Sequence, residues 1–388
     1  MPRDPSPYSP RLRTALVLTG TGTAGAYHAG VLRALHESSV RFDLVAGDGV
    51  GAIGALFAAL DGAAALWESD GPWRPPQVRH FYKRTRGWRL RRLWNRSGGR
   101  SDPRRRARER VWRRVTGPPL DCDKTTGRLV ARLWTLVSSG AGSRGGSDGE
   151  LGARAAELLL ENLGQPGFRE LVLTVHDLDA QRDLVFGLLA EARRRDFFQP
   201  RDHDPASRSA EAFDLAGGLR DRAIDVLTAA LRVPLVTDPH VITFPVESAW
   251  RGESHYVVQR VGSLVRLVEE VVRTGAEQLI IASASPEPIG PHNLRAARTD
   301  RLGRFGDCLM SAEAAALRDV QAKAARLRVF IVRPHHNPLG PFDFAGAYDP
   351  RSDRRHALDE LMQRGYEDAV RRVIDPVVTL RADEVAGR

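Results

Sequence analysis

The residues best equipped for chemistry lie in two glycine-punctuated turns, Gly20-Thr21-Gly22-Thr23-Ala24-Gly25 and Gly47-Asp48-Gly49-Val50-Gly51. The first fits GxGxxG. Glycines there let the backbone turn sharply, and free N–H groups at a helix N-terminus face a negative charge. That charge is either a dinucleotide pyrophosphate or a transition-state oxyanion. The second turn has glycines two before and two after a central residue, as a nucleophile elbow requires, because a Cβ at either flank would strike the neighbouring strand or helix. The central residue is Gly49, which has no atom to attack with. Asp48 sits near the end of the second strand, where a dinucleotide site places its ribose acid, so that reading stays open. A dinucleotide site needs neither the flanking glycines nor a small-residue helix behind them, and the elbow with its oxyanion loop accounts for both.

These turns need elements to hold them. Thr14 to Thr19 is a short apolar run stopped by glycines, a buried strand. Ala26 to Ser38 carries Val31, Leu32 and Leu35 at helical spacing. Phe42 to Ala46 reads as a second strand and Gly51 to Leu60 as a tightly packed helix. Strand, glycine turn and helix, twice in fifty residues, predict an α/β fold with a parallel sheet. The pattern resumes at Glu170 to Val175, Ala223 to Ala230, His240 to Phe244 and Gln278 to Ser283, then at a late strand, Arg328 to Arg333, and a final helix, Arg355 to Ile374. Residues 1–13 read as a flexible lead-in.

The helix beginning GAYHAGVLRALHE, followed by FDLVAGDGVGAIGALFAALDG, resembles the patatin-like phospholipase family. The resemblance extends to Leu173–Leu178 with Leu184–Phe186, to Ala229–Pro245, and to Gly340–Phe344 with Arg364–Ala369. It implies a three-layer α/β/α fold with a central, mostly parallel sheet. It also implies a serine acyl-hydrolase site built on a Ser–Asp dyad, in which Gly20, Gly22, Thr23 and Gly25 form the oxyanion loop and Gly47, Asp48, Gly49, Val50 and Gly51 the elbow. The sequence departs from the family pattern in three places. The serine position is Gly49, the basic residue usual before the last loop glycine is Ala24, and the family's Tyr-Val-Asp-Gly-Gly stands as Tyr256-Val257-Val258-Gln259-Arg260. The dyad acid then falls near Val258, with Glu253 the candidate for a displaced carboxylate. Two separate losses point to a degenerate site, a lipid- or acyl-binding protein without hydrolase activity. The alternatives are an active acyl hydrolase with a non-standard nucleophile and a dinucleotide-binding protein.

Charge adds a partner. The chain has 58 Lys and Arg against 48 acids, but residues Arg79–Arg114 hold 16 of the bases and only Asp102 and Glu109 as acids. Interleaved with Trp88, Trp94 and Trp112, this part of an insertion at about 72–150 suits an anionic membrane surface better than nucleic acid. The domain then runs over 14–290, with 291–388 packed on it.

The other candidates read as structural. Asp48 reads as a cap on the following helix and His28 as a pocket wall. His335 and His336, adjacent on an extended segment, point to opposite faces and cannot share a metal. Cys122 and Cys308 form no CxxC pair, so neither a zinc site nor a disulfide framework is expected. We expect no cofactor. The first 13 residues lack an apolar core, so the expected location is cytoplasmic, with peripheral membrane contact.

Overall fold

All six residues of Thr14–Thr19 (β1) are buried, which requires a sheet covered on both faces. The computed structural model supplies one, describing residues 7–60, 62–69, 71–74, 169–199, 205–217, 219, 222–288, 300–324 and 327–379. β1 leads through the first glycine turn into Ala24–Glu37 (α1), and Leu44–Asp48 (β2) leads through the second into Gly51–Ala59 (α2). Then follow Glu170–Asp177 (β3), Arg182–Leu188 (β4), Glu191–Phe198 (α3), Pro205–Glu211 (α4), Ala212–Asp214 (β5) and Ala223–Ala230 (α5). His240–Thr243 (β6), Ser254–Val258 (β7), Leu264–Arg273 (α6), Gln278–Ser283 (β8), Arg301–Lys323 (α7) and Arg328–Val332 (β9) come next. The described chain closes with Ala347–Asp349 (β10), Arg354–His356 (β11) and Leu358–Ala369 (α8), which continues through a π turn at Val370–Ile374.

The main sheet runs β5-β4-β3-β2-β1-β8-β9, with β7 antiparallel to the end of β3 and β6 paired to β7. The pairs of β1 with β2 and β8, of β2 with β3, of β4 with β5 and of β8 with β9 are parallel, while β3–β4 is antiparallel. Alternation along the strands builds two cores. Leu16, Leu18 and Val45 pack with α1, α2 and α8, whereas Ala15, Val17, Leu44 and Ala46 pack with Leu264, Leu267 and Leu317 of α6 and α7. All nine residues of α2 are buried, which is why its sequence is almost entirely small and apolar.

Helix α8 packs on α1 at backbone distance. A Cβ on Gly365 would meet the Tyr27 carbonyl closer than 3.0 Å. Gly365→Ala is therefore expected to cost ~1–3 kcal/mol by overpacking, read as a lower urea midpoint at unchanged slope. A midpoint equal to wild type would show that the helices can slide apart freely.

Several expectations shift. β2 starts and ends two residues later than predicted, so Asp48 is its last residue rather than a turn residue. The final helix starts at Leu358 because Arg354–His356 is taken up as a strand against Ala347–Asp349. The lead-in is docked from Tyr8 onward. That ring is buried, its hydroxyl donates to the Arg41 carbonyl at 2.8 Å, and the Ser9 N–H donates to Gln278. Trp73, placed in the insertion, is 1% exposed and packs where a Cβ on Gly25 would stand. Arg79–Arg114 and Cys122 lie outside the described residues. Among the described residues, no helix is long and apolar enough to cross a membrane.

Candidate active site

Because β1 and β2 are parallel neighbours, their glycine turns lie side by side at the C-terminal edge of the sheet, joined by the Val50 N–H donating to the Gly20 carbonyl at 2.9 Å. The flanking glycines are needed there. A Cβ on Gly47 would strike Ala52, and one on Gly51 would strike the Leu18 carbonyl. Gly49 holds φ at +55°, the strained turn that an elbow imposes on its central residue.

The space beside Gly49 is filled. A Cβ there would fall closer than 3.0 Å to both the Gly20 carbonyl and the side-chain amide of Gln259. Gln259 follows β7, and its Nε2 donates to Thr21 Oγ1 at 2.6 Å and approaches the Gly20 carbonyl at 3.4 Å. The side chain that reaches Gly49 is thus Gln259, one residue beyond Val258. Val258 pairs with His176 in the β3–β7 ladder and is buried. Period-two alternation sends neighbouring side chains to opposite faces, so a one-residue difference decides which of them meets the elbow. Glu253 is far more exposed, and its carboxylate turns to His255, 3.4 Å from Nε2. His255 is itself held by the fully buried Asp177, 2.5 Å from its Nδ1.

The first glycine turn, expected as the oxyanion loop, is also covered. The Thr23 N–H donates to the Pro341 carbonyl at 3.0 Å, and Thr23 Oγ1 donates to the Gly340 carbonyl at 2.9 Å. Gly22, at φ +58°, lets that strap approach, since a Cβ would strike the Pro341 carbonyl. The strap is anchored by Asn337, whose Nδ2 donates to Ala284 and whose Oδ1 accepts from Leu339. No local sequence pattern announces Pro341 as a site residue: the contact joins residues more than 300 positions apart.

Below the turns lies a second cluster that the sequence reading missed. Thr19, Asp48 and Ser283 end β1, β2 and β8 on the face covered by α6 and α7. Asp48 does not cap α2, which has no side-chain cap. Its Oδ2 accepts from Ser263 Oγ at 3.0 Å, because position 48 shares the parity of Leu44 and Ala46 and faces α6. Glu313, in α7, accepts from Ser283 Oγ at 2.5 Å. Burial raises Asp48 to about 6 against the opposing effect of the Thr19 and Ser263 hydrogen bonds. Burial and the nearby Asp48 charge raise Glu313 to about 8 against its Ser283 bond. A signal for Glu313 existed: it interrupts the otherwise apolar stripe Gly306, Leu309, Leu317, Val320 of α7.

His28 is buried with Nε2 on the Thr19 carbonyl at 3.0 Å, and burial lowers it to about 4, leaving it neutral. His335 and His336 face different acids, Glu287 and Asp349. Among the described residues no group of three or more His, Cys, Asp or Glu is placed to hold a metal.

Comparisons with known proteins place this geometry in context. The family model described as patatin-like phospholipase matches residues 16–244, more than half of the chain. No curated protein matches. Two solved structures are similar over most of this chain. VipD from Legionella pneumophila shows 12% identity and a TM-score of 0.36, with 95% of this chain and 69% of that one covered. The type III effector protein ExoU shows 15% identity and a TM-score of 0.33, with 96% and 54% covered, so this chain spans about half of ExoU.

Proposed function

We propose that this chain, which belongs to the patatin-like phospholipase family, keeps the family scaffold as a lipid- or acyl-binding protein and lacks hydrolase activity at the elbow. The observation that carries this is the Gln259 carboxamide occupying the space beside Gly49. Acyl transfer needs an oxygen or sulfur nucleophile and a base to take its proton, and a glycine facing an amide offers neither. The Pro341 carbonyl adds to the argument, since it already accepts the Thr23 N–H that an oxyanion would use. The dinucleotide reading loses ground on the same residues. The loop amide is spoken for, and Asp48 turns inward to Ser263 rather than outward to a ribose.

Attachment to lipid is assigned to the basic segment Arg79–Arg114. Each Lys or Arg near an anionic surface contributes ~1 kcal/mol, so engagement of a few gives measurable, salt-sensitive binding. Vesicles containing phosphatidylserine should co-sediment with the full chain at low salt, less so at high salt, and poorly with a chain lacking residues 79–114. No fatty-acid release that depends on Thr21 or Gln259 should occur in the same samples. Equal sedimentation of both chains would overturn the membrane assignment, and release abolished by substituting Thr21 or Gln259 would overturn the loss of activity.

A further inference from the structure

Away from the glycine turns, the β10–β11 hairpin and the first turn of α8 bring a hydroxyl, an imidazole and a carboxylate into line. Ser352 Oγ lies 2.8 Å from His356 Nε2, and His356 Nδ1 lies 2.9 Å from Glu360 Oε2. The fold holds two of the three firmly. His356 ends β11 and is buried, while Glu360 sits in the first turn of α8, bound to Arg354 at 2.7 Å and accepting from the Ala357 N–H. Ser352 lies in the connecting turn and is exposed.

The protons can be placed from the donor and acceptor inventory. Burial pushes Glu360 up, but Arg354, the Ala357 N–H and His356 outweigh it and hold the carboxyl below its ordinary range. With Glu360 accepting at Nδ1, the tautomer that serves as base is the one carrying its single ring proton on Nδ1 and its lone pair on Nε2, facing Ser352. In the resting arrangement Ser352 Oγ donates to Asp349 Oδ2 at 2.9 Å, and His356 Nε2 stands 3.6 Å from that same oxygen, so Asp349 competes for the hydroxyl proton. It has other partners: His336 Nε2 at 3.1 Å on Oδ2 and the Arg351 N–H at 3.1 Å on Oδ1. The serine proton can therefore pass to His356 without leaving Asp349 bare.

We infer that Ser352 is an acyl-accepting serine, with His356 as its base and Glu360 as the residue that positions His356. This goes beyond the function proposed above and uses none of its residues. Ser352 is an exposed residue of the turn, so the substrate class is an activated carboxylic ester or thioester presented from outside. Ser352 Oγ attacks the carbonyl carbon and its proton moves to His356 Nε2. The bond to the leaving alcohol or thiol breaks as His356 returns that proton to it, and the acyl group stays on Ser352 as an ester. Water then attacks that ester by the same steps, releasing a carboxylic acid and restoring the serine.

The test is labelling of the full-length protein with a fluorophosphonate, followed by intact mass and peptide mapping. One adduct is expected, on the peptide containing Ser352, and it should vanish in Ser352→Ala, a change at an exposed turn. General-base assistance contributes ~10²–10⁴-fold, so His356→Gln should slow labelling at least ~100-fold. His356 is buried, and Glu360→Gln, on a half-buried side chain, guards against misfolding as the cause. It should slow labelling and alter its pH profile while the unfolding midpoint stays in place. No adduct at Ser352, or equal rates in wild type, His356→Gln and Glu360→Gln, overturns the inference. An adduct within residues 14–60 or 254–263 would instead overturn the vacated elbow and leave the Ser352 result to be judged by its own peptide.

Discussion

Gly49→Ser is expected to destabilise the protein and to leave the elbow without esterase turnover. A non-glycine residue in the left-handed region costs ~1–2 kcal/mol, and Gly49 sits there at φ +55°. Overpacking adds ~1–3 kcal/mol, because the new Cβ meets the Gly20 carbonyl, itself the acceptor for the Val50 N–H. Gln259→Ala in the same chain should recover only part of the loss, since the carbonyl and the φ angle remain. The new hydroxyl would face a carboxamide, which takes no proton, so rates should stay ~10²–10⁴-fold below a base-assisted site. The informative double variant pairs Gly49→Ser with Gln259→Glu rather than with a change at Val258, because it is residue 259 that reaches the elbow. Urea midpoints and short-chain ester turnover, measured in a Ser352→Ala background, decide the matter. A single variant as stable as wild type, or one that turns over ester, would show that the pocket beside Gly49 is open.

The second large effect is on stability against pH. Glu313 rises from 4.5 to about 8 and Asp48 from 3.8 to about 6, both first through burial. Below pH 4 folded and unfolded chains alike hold these protons, and the stability contributed by the pair is complete. As pH rises, the unfolded chain releases them first while the folded chain keeps them. Stability therefore falls from about pH 4 and goes on falling until Glu313 ionises in the folded state near pH 8. A tenfold difference in proton affinity between folded and unfolded chains corresponds to about 1.4 kcal/mol, so the pair is worth several kcal/mol over that window. Glu313→Gln removes the largest part while keeping an acceptor for Ser283 Oγ. It should flatten the decline and leave the variant more stable than wild type at pH 8. Parallel stability profiles for the two proteins between pH 5 and 8 would show that water or a cation reaches Glu313.

Much of this was legible in the residues themselves. The β1–α1 and β2–α2 units carry their own punctuation: apolar runs with both faces buried, glycines where a Cβ has no room, and a helix of small residues that must be enclosed. Local sterics and hydrophobic burial act within ten or so residues, so pattern alone placed the two glycine turns on adjacent strand ends. The same locality explains the misplacements. Strand β2 and helix α8 have their ends displaced by pairing partners distant in sequence. Tyr8 reads as lead-in because its cover, the loop before β2 and the start of β8, comes later in the chain.

What fills the site was decided by tertiary structure. Gln259, rather than Val258, meets Gly49 because β7 docks antiparallel on the end of β3 in one register, and a slip of one residue would reverse the two. Pro341 closes over the first glycine turn through a contact across most of the chain. Asp48 and Glu313 become a buried acid pair only when β1, β2 and β8 end together beneath α6 and α7. In each case the residue is ordinary in its own segment, and its chemistry comes from neighbours that only the folded sheet brings within hydrogen-bond distance.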